Sequence, residues 1–63
     1  MTQKELSYIE DAIGHECNMI MIINNIIENI DDQKLITFFE KEEKKHTNIK
    51  ESLISKLEEK VNE

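Results

Sequence analysis

The sequence predicts an all-α protein: two long helices in an antiparallel hairpin, with a second copy completing a four-helix bundle. Three observations predict it. Punctuation is nearly absent, since 63 residues contain no Pro and one Gly, and sheets and sandwiches need turn residues this chain lacks. Apolar side chains recur at spacings of three and four, the period of one helical face. Both patterns pause at one place only, Asp31-Asp32, midway along the chain.

The first helix is expected over about residues 3–30. Thr2 followed by Glu5 can form a capping box ahead of Leu6. The row Leu6, Ile9, Ile13, Ile20, Ile23, Ile27, Ile30 then marks its inward face, and this periodicity outweighs the strand preference of Ile. Such a helix is roughly 40 Å long. Asp31-Asp32 forms the turn, and either Asp can cap a second helix, where its charge suits the helix start. The second helix, about 33–61, carries Leu35, Phe38/Phe39, Glu42/Glu43, His46, Ile49/Lys50, Leu53 and Leu57. A connection this short makes the helices antiparallel neighbours.

The length allows one domain, residues 1–63, and argues against a multilayer enzyme fold. A chain of this size buries a small fraction of its surface and is marginal without a disulfide, a metal or a partner subunit. The first helix is apolar over more than a narrow stripe, because Met19, Ile22 and Ile26 flank the Ile row. One partner helix cannot cover all of it, and an exposed apolar patch of that kind signals association. Two hairpins forming a homodimeric four-helix bundle are the simplest solution.

Net charge is -6, and Arg is absent. Residues 1–30 hold five acids and one Lys, about -4, and residues 31–63 hold nine acids and seven Lys, about -2. Neither half offers a basic surface, which excludes nucleic acid and disfavours anionic membrane. Asn24, Asn25, Glu28 and Asn29 interrupt the Met19–Ile30 stretch, so it is not expected to span a bilayer. Cys17 is the only cysteine, so no internal disulfide or Cys-based zinc site forms within one chain. A reducing, cytoplasmic setting is expected, and the polar start of the chain does not read as a signal peptide.

The apolar pattern fails at an informative place. Glu16 interrupts the inward row between Ile13 and Ile20, and the second helix places Glu43 and His46 on its inward side. A buried carboxylate needs a hydrogen bond, an opposite charge or a metal. With the turn centred near residue 31, Glu16 and His46 should stand at one height, with Glu43 a turn away. Glu43-x-x-His46 puts both side chains on one face. Two copies would supply four Glu and two His, the inventory of a di-iron or di-manganese bundle site. The same residues are also readable as a metal-free Glu16–His46 network, or as solvated side chains. His15 points about 100° away from Glu16 and is expected to be lateral or exposed, though it could support a ligand from behind.

Other residues receive plainer readings. Cys17 is expected to be a small buried hydrophobe, and Tyr8, Met19 and Met21 to be packing material. Gly14 either permits a close helix contact or is a tolerated surface glycine. Asn24 and Asn25 either fix bundle register or face water.

The stretch Thr2-Gln-Lys-Glu-Leu-Ser-Tyr-Ile-Glu-Asp-Ala-Ile-Gly-His-Glu16 resembles the opening of small clostridial and bacillar proteins related to spore coat protein F. Those proteins look like trimmed ferritin-like domains. The stretch from Asp32 to His46 is similar to their second helix, so the resemblance covers nearly the whole chain. It implies a helical hairpin or half-bundle that dimerises into a ferritin-like bundle, a cytoplasmic origin in a spore former, and coat-protein partners. His15, Glu16 and His46 are the matching positions. Glu43 departs, because coat-type relatives look Gln-rich here whereas rubrerythrin-like domains use Glu-x-x-His. Residues and resemblance together leave three functions as expectations. One is a self-associating structural or interaction protein of the spore coat. Another is a di-iron or di-manganese dimer with ferroxidase or peroxide-reducing activity. A regulatory coiled coil that binds another helix is a third.

Overall fold

A computed structural model describes residues 1–62. It contains two helices packed against each other, α1 over Gln3–Asn29 and α2 over Gln33–Val61, and no strand among the described residues. The expected boundaries hold to within one residue. The Thr2 hydroxyl accepts from the Glu5 N–H at 3.1 Å, and the Glu5 carboxylate accepts from the Thr2 N–H at 2.8 Å. Two of the otherwise unpartnered donors at the start of α1 are thereby satisfied reciprocally.

α1 stops where Ile30 turns extended. In its last turn the Asn29 side-chain amide donates to the Asn25 carbonyl at 2.7 Å. Of the two candidate caps, Asp32 begins α2. Its Oδ1 accepts from the N–H groups of Lys34 and Leu35 at 2.9 and 3.1 Å, and its negative end suits the helix dipole. Lys60 supplies the matching positive charge in the last turn of α2.

The packing is thin. Among the described residues only Ile23 is buried, at 4% exposure. Leu6, Ile9, Ile13, Ile20, Ile27 and Ile30 are half-buried around it, as the Ile row predicts. α2 contributes the half-buried Ile36, Phe39, Leu53, Ile54 and Leu57. Phe38 and Phe39 meet edge to face, with centroids 5.2 Å apart, a favoured aromatic geometry. The molecule measures 47 × 15 × 11 Å, one helix pair in cross-section.

Several expectations are corrected. Cys17 is exposed rather than buried, because one step past Glu16 carries it about 100° off the contact line. Tyr8 is exposed too, with Lys4 Nζ 6.0 Å from its ring centroid. Met21 is 67% exposed while Met19 is half-buried. On α2, Leu35 and Ile49 are exposed, because one facing helix covers a narrower arc than the apolar pattern spans. Gly14 is a surface glycine: a Cβ added there would meet nothing within 4 Å. Asn24 and Asn25 face outward. No described helix is long and apolar enough to cross a membrane.

Candidate functional site

The polar interruption of the core is where the two helices exchange chemistry. Glu16 lies on the inward row of α1, one turn below Ile20. His46 occupies the same height on α2, since the two are equidistant from the turn. His46 Nδ1 and Glu16 Oε2 form a close hydrogen-bonded pair. Their side chains are 19% and 13% exposed, so the contact is partly withdrawn from water and the carboxylate has the partner its burial requires. No buried side-chain nitrogen or oxygen among the described residues lacks one.

The other imidazole nitrogen, Nε2, lies 4.0 Å from Glu42 Oε2. That spacing is too long for a hydrogen bond and becomes an ion pair only when the ring is protonated. The side chains of Glu42 and His46 line a shallow apolar groove with Phe38 on α2, and with Met19, Ile22 and Ile26 on α1. One edge of the polar pair therefore faces an uncovered apolar surface.

Glu43 is half-buried and lines a groove on the other side of the hairpin with Asn24, Ile27, Glu28, Glu40, Lys44 and Thr47. Of the predicted set Glu16, Glu43 and His46, the fold pairs Glu16 with His46, and Glu42 stands 4.0 Å from the same ring. Spacing could not choose between these two carboxylates. Glu42 stands i,i+4 and Glu43 i,i+3 from His46, and both separations share a helix face. Both are half-buried, on opposite sides of the line along which α2 meets α1. His15 is exposed, as its angle from Glu16 predicts.

Chemically, the cluster offers carboxylate oxygens and one imidazole, a donor set that suits a hard or borderline cation. Within one chain the donors do not amount to a metal site. No group of three or more His, Cys, Asp or Glu among the described residues is arranged to hold an ion. The Glu16 oxygen nearest the ring is committed to His46, and Glu42 is set back.

No family model, curated protein or solved structure matches this chain.

Proposed function

We propose that this chain is a self-associating helical hairpin with a structural or interaction role, two copies forming a four-helix bundle. The observation that carries the reading is the mismatch between core and apolar surface. Two helices of 27 and 29 residues bury one side chain, while Tyr8, Ile22, Leu35, Phe38 and Ile49 lie exposed. Small domains with so little core need a partner, and exposed apolar patches mark interaction sites. The resemblance of residues 2–16 to spore coat protein F relatives supports a coat, or its assembly from the cytoplasm, as the setting, with other coat proteins as further partners. Sedimentation at micromolar concentration tests the association. The expected mass is about twice the 7.5 kDa of one chain, and a stable, well-folded monomer overturns the reading.

One observation favours a second reading, a di-metal bundle of ferroxidase or peroxide-reducing type. His46, which is hydrogen-bonded to Glu16, borders the uncovered groove together with Glu42, so a dimer formed there would bring two such clusters, four carboxylates and two imidazoles in all, near one another. Iron or manganese would supply the redox chemistry when bound, and the residues of this chain would hold and orient it. Metal analysis of natively purified protein decides this. Two ions per dimer, lost in both Glu16→Ala and His46→Ala, support it, and no uptake after anaerobic iron loading sinks it.

A further inference from the structure

We infer that the second copy docks on one side of the hairpin only, the side bearing Ile22, Ile26 and Phe38, with α1 of each protomer against α2 of the other and both turns at the same end. This rests on the self-association proposed above and adds to it the face and the orientation.

The face follows from where the exposed apolar side chains stand. Successive helical residues rotate by about 100°. On that count Tyr8 and Ile22 of α1, and Leu35, Phe38 and Ile49 of α2, fall on the side of the groove lined by Met19, Ile26 and Glu42. The reverse side presents Asn24, Glu28, Glu40, Glu43, Lys44 and Thr47 around the half-buried Ile27. Met21 projects from the back of α1, and Met1 and Val61 lie at the open end. One side is thus an interface surface and the other a solvated one.

The occupant follows from area. The hairpin exposes 5003 Å², whereas a compact monomer of its mass exposes about 4,200 Å² by the usual size scaling. The excess, roughly 800 Å², equals one partner's share of a standard protein interface. A second copy offers the same excess on the same kind of surface, so a two-fold pair satisfies both at once.

The orientation follows from charge along the rims of that side. On the same count the α2 rim carries Lys34, Lys45 and Lys56, the last 3.7 Å from Glu59, and the α1 rim carries Lys4, Asp11, His15, Asn18 and Asn29. Setting α2 against α2 would bring the two lysine rows together, which is unfavourable. Setting α1 against α2 brings lysines to the acid and the asparagines. Lys4, the exception on the α1 rim, then comes level with Glu59. The same arrangement puts both Glu16–His46 pairs at one height.

Two variants test the face. Ile22 and Met21 are adjacent and 52% and 67% exposed in the hairpin, so neither is needed for its internal packing. Ile22→Glu should weaken dimerisation about 30-fold or more, as loss of a central apolar anchor does, and Met21→Glu by less than about 3-fold. Sedimentation gives the constants, and helicity read over a dilution series separates dissociation from misfolding. Equal effects, or the reverse order, overturn the face. Disulfide trapping in a Cys17→Ser background tests the orientation. A mixture of Ile22→Cys and Phe38→Cys chains should cross-link into the mixed dimer, and neither alone should do so efficiently. Efficient self-cross-linking of either chain in a confirmed dimer overturns the orientation and leaves self-association standing. A monomeric wild-type chain instead removes the reading on which the inference rests.

Discussion

Glu16 and His46 stand thirty residues apart and meet across the hairpin through Oε2 and Nδ1. The pair's neighbours along the two inward rows are apolar, Ile13 and Ile20 on α1 and Phe39 and Leu53 on α2, and a slide of one helix by a turn would still set apolar side chains against apolar ones elsewhere. A slide of that kind would leave this carboxylate and imidazole half-buried without partners, at the cost such groups carry.

Truncating one partner should therefore destabilise more than the net worth of the bond. Glu16→Ala and His46→Ala are each expected to cost about 1–3 kcal/mol, the penalty for stranding a polar group. The double substitution Glu16→Leu with His46→Leu should recover most of that loss, because an apolar replacement of a buried polar pair is commonly neutral or stabilising. Urea unfolding of the four proteins at one protein concentration measures this. A double variant as unstable as the sum of the single ones would show that the two side chains contribute independently and that the pairing itself adds nothing.

If the cluster binds a cation, Glu42 rather than Glu43 should matter. Glu42 borders the groove with His46, and Glu43 lines the groove on the other side of the hairpin. After anaerobic loading with iron or manganese, Glu42→Ala should lower bound metal at least 10-fold, the scale expected when a supporting or ligating group is lost. Glu43→Ala should keep wild-type stoichiometry. The opposite ranking would restore Glu43 to the site.

The helices and the Glu16–His46 meeting were legible in the sequence for one reason. A helix period and a chain midpoint fix both angle and height, and each survives small errors. The Thr2–Glu5 cap was readable because it is local. Lateral position was not readable. Glu42 and Glu43, Cys17, Leu35 and Ile49 all depend on where the edge of a narrow two-helix contact falls, and one residue of rotation moves a side chain across it. The apolar pattern is broader than one facing helix covers, and it leaves Tyr8, Ile22, Leu35, Phe38 and Ile49 exposed.

Gly14 offers a stabilising change. It lies in mid-helix, with open space where a Cβ would stand, so Gly14→Ala removes backbone freedom from the unfolded chain without a clash. The expected gain is about 0.5–1 kcal/mol, or several degrees in Tm for a domain of this size. Thermal unfolding by circular dichroism at matched concentration measures it. A fall in Tm would mean that this surface is covered closely in the assembled protein.

The start of α1 should depend on pH. The Thr2 backbone N–H donating to the Glu5 carboxylate, with the Thr2 side chain assisting, holds that carboxyl below its ordinary pKa. A group whose folded value is depressed contributes stability that is present above its unfolded value, about 4.3 for Glu, and is lost as pH falls through the folded value. Below about pH 4.3, therefore, the first turn should fray while the Thr2 hydroxyl still holds the Glu5 N–H. Glu5→Gln keeps a side-chain oxygen to accept from Thr2 but does not titrate, so its first turn should be less ordered at pH 7 and unchanged between pH 6 and 3. Backbone amide shifts of Glu5 and Leu6, followed over that range in both proteins, read the difference directly. Identical titration of the two proteins would show that the Glu5 half of the cap contributes nothing to the order of the helix start.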